Sequence, residues 1–322
     1  MTNPKNIRYL NAEKLTFVYI IISSLFILLS RFGTHTSFAL LKYRLIISCV
    51  IIGLAYLNCC KDWWIIRILR VAFLLSLLSY WYPETYDVNR VLHNYDHVLA
   101  TVEQFIFGFQ PALVFSKLFP QLWFSEIMNM GYFSYYFLIV GACIYFFFNN
   151  PKYFGLFFFT VLFSFYTYYM VYIMFPTAGP QYYYQAIGID NVVNGNFENI
   201  GHYFNSHRDL LANNSKPGFF YNLVERSQTL GERPTAAFPS SHVGISTIIM
   251  LMILRYKRYL FFALIFPVYI ALVASTVYIQ AHYLIDVIIG FISGIALCYM
   301  GIGVYKLINH HEMFNVYKTN GN

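Results

Sequence analysis

Charged side chains are scarce in this sequence. Asp, Glu, Lys and Arg together make up 11% of its 322 residues, whereas 58% are hydrophobic and 21% are aromatic. A soluble domain normally carries about a quarter of its residues as charges, because its surface faces water. The composition therefore excludes a soluble globular protein and predicts an integral membrane protein.

Basic runs are also missing, although the formal net charge is +7. The Lys and Arg residues are scattered at the ends of apolar segments, as the positive-inside rule predicts for membrane proteins. No nucleic-acid-binding signature accompanies them, so we expect no nucleic-acid partner. The five cysteines lack metal-ligand spacing, and we expect them to be reduced and buried.

Eight apolar runs predict an all-α fold, a polytopic membrane bundle of about eight transmembrane helices. They cover residues 15–30, 45–60, 63–82, 127–149, 153–175, 239–254, 259–281 and 282–305. Six spans remain the alternative if the first two runs do not both cross the bilayer.

Three connecting stretches stand out between these runs. Residues 83–103 are the first polar stretch of any length, which predicts a solvated segment. Residues 104–123 are apolar but broken by Gly108 and two prolines, so we expect them to lie in the interface or to dip in and return. The longest loop, 176–238, is rich in Tyr, Asn and Gly, and its length and aromatic content predict a structured lid.

The distribution of basic residues predicts the topology. With a cytoplasmic N-terminus, the inner connections carry Lys61, Lys152 and Arg255, in agreement with the positive-inside rule. The connection at residues 31–44 disagrees, because its basic residues fall outside. This topology places the loop 176–238 on the non-cytoplasmic face.

The stretch around His282 carries the first candidate group for catalysis. His282 and Asp286 are four residues apart at the start of an apolar run, so a helix would project both from one face. The carboxylate could then accept a hydrogen bond from one imidazole nitrogen, which would fix the tautomer. The other nitrogen would be free to act as a nucleophile or a base.

A second polar group comes about forty residues earlier. Ser240, Ser241 and His242 follow Pro239 in the pattern of a helix start, where serines cap the helix and unpaired N–H groups favour an anion. Both stretches therefore place a histidine at the beginning of an apolar helix.

Two arginines precede the second histidine motif. Arg233, and Arg226 seven residues before it, could hold phosphate oxygens through charge-assisted hydrogen bonds. Two histidines, a carboxylate, arginines and a helix N-terminus together predict phosphoryl transfer through a phosphohistidine.

These stretches resemble the phosphatidic acid phosphatase type 2 superfamily. Its pattern is an element ending in Arg-Pro, then Pro-Ser-x-His, then Ser-Arg-x5-His-x3-Asp. The PSSH of residues 239–242 matches the second element, and Arg233-Pro234 matches the first in form. The segment from Ser275 to Asp286 matches the third, except that Thr276 stands where the phosphatases have arginine.

Within the superfamily, the sequence looks most like the inositol phosphorylceramide synthase branch. The likeness rests on AAFPSSHVG at residues 236–244, VYIQAHYLIDVIIG at 277–290 and MFPTAGPQYYY at 174–184. That branch also lacks the arginine of the third element.

The resemblance implies a six-helix catalytic core and a role for each site residue. His282 would be the nucleophile, Asp286 would orient it, and His242 would protonate the leaving oxygen. The residues that would hold the phosphate are Arg233, Ser240, Ser241 and Arg226. No metal or other cofactor is implied.

The apolar runs, the charge distribution and the resemblance together predict a division of the chain. An N-terminal pair of membrane helices (1–62) precedes the membrane catalytic domain (63–310), and residues 311–322 form a polar tail. The active site would lie on the non-cytoplasmic face, under the loop 176–238.

The function that the resemblance implies is head-group transfer between lipids. A phosphorylated head group, expected to be inositol phosphate, would move from a phospholipid donor to the hydroxyl of a ceramide-type lipid. The alternative is a lipid phosphate phosphatase that releases inorganic phosphate. Thr276 favours transfer, because a dianionic monoester needs the missing guanidinium more than a singly charged diester does.

Two other classes of protein fit less well. A transporter would place polar groups near the bilayer midplane, whereas here they cluster at helix ends. A catalytically dead scaffold would be expected to lack one of His242, His282 and Asp286, and all three are present. The oligomeric state stays open.

Overall fold

The computed structural model describes residues 10–31, 35–211 and 217–319, and every regular element in these ranges is a helix. The α-helices are α1 Asn11–Arg31, α2 His35–Cys60, α3 Trp64–Asn89, α4 Asp96–Phe107, α5 Pro111–Leu118, α6 Leu122–Asn149, α7 Pro151–Met174, α8 Pro180–Ile187, α9 Ile189–Val193, α10 Phe219–Gly231, α11 Ser241–Arg255, α12 Tyr259–Tyr278 and α13 Leu284–Thr319. The prediction of an all-α membrane bundle is confirmed.

Seven of the described helices are long and apolar enough to cross a membrane, and each coincides with a predicted span. They are α1, α2, α3, α6, α7, α12 and α13. Both N-terminal runs are among them, so the six-span alternative is not supported. The eighth predicted span, 239–254, is α11, whose 15 residues extend roughly 22 Å and so fall short of a hydrocarbon core about 30 Å thick.

The segment predicted to be interfacial or re-entrant is a broken helix pair. The axes of α4 and α5 differ by 65°, and the break falls between Phe107 and Pro111. Gly108 ends α4 with φ 76°, a left-handed conformation that glycine adopts without steric cost. Pro111 begins α5, where its missing N–H removes no helical hydrogen bond. With this pair counted as one span, the described helices provide up to eight spans.

The prediction of a solvated segment at residues 83–103 holds for residues 91–93, which are exposed, but is wrong for three of its carboxylates. Helix α3 continues to Asn89 and α4 begins at Asp96, and the carboxylates of Glu84, Asp96 and Glu103 are buried. Each of these carboxylates accepts a hydrogen bond from a residue outside this segment. The composition of the segment alone could not indicate these contacts. Glu84 accepts a hydrogen bond of 2.8 Å from Arg44, so this arginine is neutralised within the bundle.

The helix α11 occupies the centre of the bundle. It packs against α7, α12 and α13, while α6 packs against α12 and carries α10 on its surface. The loop 176–238 contains α8, α9, a 3₁₀ turn at Tyr203–Asn205 and α10. This arrangement brings the start of α11, the turn before α13 and the folded part of the loop to one end of the bundle.

Candidate active site

The start of α11 positions the first histidine. Ser240 is fully buried and caps the helix, with its Oγ accepting a hydrogen bond of 3.4 Å from the N–H of Val243. The N–H of Ser241 donates to the hydroxyl of Tyr172 over 3.1 Å. His242 therefore lies in the first turn of α11, whose N-terminus is fixed by the hydrogen bonds of Ser240 and Ser241. The Ser240 hydroxyl is occupied by its capping hydrogen bond.

His282 does not lie on a helix, in contrast to the sequence-based prediction. It belongs to the turn between α12 and α13, because α13 begins at Leu284. Its Nδ1 lies 2.8 Å from the carbonyl oxygen of Ala237 and 3.6 Å from Oδ2 of Asp286. A carbonyl oxygen only accepts, so Nδ1 carries the proton and Nε2 keeps its lone pair.

Asp286 acts on His282 less directly than predicted. The distance of 3.6 Å from its Oδ2 to Nδ1 is too long for a hydrogen bond. The same oxygen accepts a hydrogen bond of 2.9 Å from the N–H of Tyr283, the residue before α13. A carboxylate in the third helical position that reaches back in this way resembles half of a capping box. Asp286 therefore fixes the backbone beside His282, and the Ala237 carbonyl fixes its tautomer.

The two histidines face each other. Nε2 of His282 lies 3.3 Å from Nδ1 of His242, and the ring of His242 is held between Tyr132 and Tyr135 at centroid distances of 4.8 and 4.3 Å. Burial lowers the pKa of His282 to about 4, because the charged imidazolium loses its hydration. His282 is thus neutral at physiological pH, as a nucleophilic nitrogen has to be.

A small cavity of about 20 Å³ lies at the two histidines, with room for about one water molecule. Its lining residues are Tyr82, Tyr132, Ala178, Gln181, Tyr182, Glu232, Arg233, Thr235, Ala236, Ala237, Ser241, His242, Ala281 and His282. Of the predicted phosphate ligands, Arg233 and Ser241 therefore lie beside both histidines. Arg226 does not line this cavity and is exposed on α10.

Glu232 lies in the same cavity, and the sequence motifs did not indicate it. Its Oε1 accepts a hydrogen bond of 2.7 Å from the Tyr132 hydroxyl, and its Oε2 accepts one of 2.9 Å from Nε2 of Gln181. Burial raises the pKa of this carboxyl above its usual value. Glu232 directly precedes Arg233 in the sequence, and this proximity to a predicted phosphate ligand could have indicated its place in the site.

Two residues beside the histidines have a left-handed backbone without being glycine. Ala236 has φ 69° and Gln280 has φ 65°, a conformation that costs energy for residues with a Cβ. Ala236 directly precedes Ala237, whose carbonyl oxygen binds His282. Gln280 lies in the turn between α12 and α13 that contains His282. Such strain is typical of functional sites.

Thr276, which replaces the arginine of the phosphatase pattern, does not line this cavity. It is fully buried on α12, and its Oγ1 donates a hydrogen bond of 2.8 Å to the carbonyl oxygen of Val273. This position therefore adds neither charge nor a free hydroxyl to the site. Across the ranges that the structure describes, no group of three or more His, Cys, Asp or Glu residues could hold a metal ion.

The sequence was compared with models of protein families. The sequence model described as the PAP2 superfamily matches residues 97–300, well over half of the chain. This range contains both histidine motifs and begins after α3. Comparisons with curated proteins and with solved structures give no match.

Proposed function

The chain belongs to the PAP2 superfamily, and from this premise we propose that it transfers a phosphorylated head group between lipids through a phosphohistidine. The observation that carries the proposal is the distance of 3.3 Å between Nε2 of His282 and Nδ1 of His242. The donor is a phospholipid, the group moved is inositol phosphate, and the acceptor is the hydroxyl of a ceramide-type lipid.

In the first half of the reaction, Nε2 of His282 attacks phosphorus. A P–N bond forms, and the P–O bond to the diacylglycerol part of the donor breaks. His242, in its protonated form, gives its proton to the leaving oxygen. The phosphoryl group enters between the two nitrogens and replaces their contact, while Arg233 neutralises charge on the phosphate oxygens.

In the second half, the acceptor hydroxyl takes the place of the departed diacylglycerol. The now neutral His242 removes the proton of this hydroxyl, the oxygen attacks phosphorus, and the P–N bond breaks. His282 and the protonated His242 are thereby restored. Water in place of the lipid hydroxyl would turn the same machinery into a hydrolase.

The charges of the cavity support a diester donor over a phosphomonoester. Arg233 is the one Lys or Arg among the described residues that line the cavity, and Glu232 places a carboxyl group beside it. A second negative charge on the substrate raises the electrostatic cost in a site of reduced dielectric. Thr276 supplies no compensating cation, because its hydroxyl is bound to the backbone of α12.

We place the reaction on the non-cytoplasmic face. The proposal is supported by the basic residues of the connections at the opposite helix ends, Lys61, Lys152 and Arg255.

The test is reconstitution of the purified protein in phosphatidylcholine vesicles with head-group-labelled phosphatidylinositol. Transfer predicts that label appears in a ceramide product only when ceramide is added, with little phosphate released from phosphatidic acid in a parallel assay. Rapid phosphate release from phosphatidic acid, unaffected by ceramide, would instead assign the protein as a lipid phosphate phosphatase.

A further inference from the structure

A second and larger cavity, which we call the lateral cleft, adjoins the histidine cavity. It has a volume of about 200 Å³ and shares four lining residues with the histidine cavity, namely Tyr82, Glu232, Ser241 and His242. Its other lining residues are mostly apolar or aromatic, and they include Leu75, Leu78, Tyr136, Ile139 and Val140. The cleft is therefore an apolar space that leads to a polar end at His242.

The walls of the lateral cleft are membrane helices. One wall is α3, the other is α6, and residues of α7 close the back. All three are candidate membrane spans, so the cleft lies at the depth of the bilayer. Along α3, Leu75 and Tyr82 are seven residues apart, which corresponds to about 10 Å of cleft length.

The exposure of the lining residues shows where the lateral cleft opens. Tyr136 and Val140 on α6 are 50% and 48% exposed, whereas Ile139 beside them and Leu78 on α3 are buried. The apolar cleft thus runs from the membrane-facing surface of the bundle to the buried histidine pair. A chain in the surrounding lipid could reach it without leaving an apolar environment.

We propose that the lateral cleft binds a hydrocarbon chain of the lipid whose oxygen is bonded to phosphorus. This inference rests on the proposed function and adds the site that receives the lipid. His242 lines the cleft and His282 does not. The lipid oxygen that exchanges a proton with His242 is therefore on the cleft side of phosphorus, and the nucleophile is on the other side.

One site then serves both lipids in turn. The diacylglycerol part of the donor occupies the lateral cleft until the P–O bond breaks, and the chains of the acceptor follow it. Because α3 lies outside residues 97–300, one wall of this site comes from the part of the chain that precedes the family match. Donor and acceptor are expected to compete for the cleft.

The test uses phosphatidylinositol with a diazirine in one fatty acyl chain, presented to the full-length protein in phosphatidylcholine vesicles. Val140→Trp fills the mouth of the lateral cleft from a position that is already exposed. Ile144→Trp is the matched control, because Ile144 is 54% exposed one turn further along α6 and does not line the cleft. Labelling is mapped by mass spectrometry of the peptides from α3 and α6.

In the unchanged protein, label is expected on both helices, and excess ceramide is expected to compete with it. Val140→Trp should reduce labelling by about tenfold, the loss expected when about two methylene groups are kept out of an apolar site. Ile144→Trp should stay within about twofold of the parent, as surface substitutions usually do. The inference would be overturned if the two variants were labelled equally or if the label mapped to other helices. It would also be overturned if ceramide did not compete with the labelling.

His282→Ala separates this inference from the proposed function. Binding in the lateral cleft needs no phosphohistidine, so the variant should be labelled like the parent although it transfers nothing. If the unchanged protein is labelled in the cleft but shows no transferase activity, the proposed function alone is refuted. Transfer without labelling in the cleft would refute the cleft alone.

Discussion

The carboxylate of Glu103 on α4 accepts a hydrogen bond of 2.6 Å from the N–H of Leu284, the first residue of α13. This contact joins the broken helix pair to the turn that carries His282. A carboxylate at a helix N-terminus satisfies unpaired N–H groups and interacts favourably with the helix dipole. Glu103 therefore fixes the position of the start of α13, and with it the position of His282 next to His242.

We expect Glu103→Ala to lower kcat by about ten- to a hundredfold, because small displacements of a nucleophile have costs of this size. Glu103→Gln should recover most of the rate, since its amide oxygen can still accept from Leu284. Glu126→Ala is the control, because the Glu126 carboxylate binds the first N–H groups of α10 in the same way. A loss as large in Glu126→Ala would show that any missing helix contact has this effect.

The second prediction concerns the covalent intermediate. His282→Ala should abolish both turnover and the acid-labile phosphoenzyme that rapid quenching traps with labelled phosphatidylinositol. His242→Ala should slow turnover by about 100- to 10,000-fold, the range expected for loss of a general acid. His202→Ala is the control, because His202 is exposed in the loop and packs on His93. A phosphoenzyme that persists in His282→Ala would exclude His282 as the nucleophile.

The third prediction concerns Glu232. Replacing its carboxylate by an amide in Glu232→Gln removes a negative charge beside Arg233, so we expect hydrolysis of phosphatidic acid to rise about tenfold relative to diester transfer. Glu225→Gln, exposed on α10, should leave this ratio unchanged. The measurement is the ratio of kcat/KM for the two substrates. If this ratio is unchanged in Glu232→Gln, the charge of Glu232 does not determine the preference for the diester.

The fourth prediction concerns pH. Burial lowers the pKa of His282 to about 4, so its nucleophilic nitrogen stays unprotonated well below the ordinary histidine pKa of 6.5. The acidic limb of kcat/KM should therefore fall near pH 4, with activity lost as the pH drops through this value. Glu232→Gln controls for the raised pKa of the neighbouring carboxyl. An acidic limb near 6.5 in both proteins would contradict the lowered pKa.

The fifth prediction concerns topology. In a variant without its own cysteines, Ser206→Cys in the loop 176–238 should react with an impermeant maleimide added to intact cells. Lys257→Cys, in the connection between α11 and α12, should react only after lysis. Both positions are exposed, so access to the reagent is decided by the membrane. The reverse pattern would put the active site on the cytoplasmic face.

The sequence alone was sufficient for the seven long spans and for the identity of the histidines. A long apolar run in a bilayer has to form a helix, because the hydrocarbon offers no partner for its backbone N–H and C=O groups. That requirement is local, so composition and spacing predicted the seven long helices. Motif spacing likewise singled out His242, His282 and Asp286, whose catalytic roles remain predictions.

Only the tertiary structure decided how the site is assembled. The tautomer of His282 depends on the carbonyl of Ala237, 45 residues away, and the carboxylate of Glu103 binds α13 over a separation of 181 residues. Glu232 meets Tyr132 across 100 residues, and the lateral cleft needs α3 and α6 side by side. Residue spacing reports only neighbours within one helix, whereas these partners meet because separate helices pack against one another.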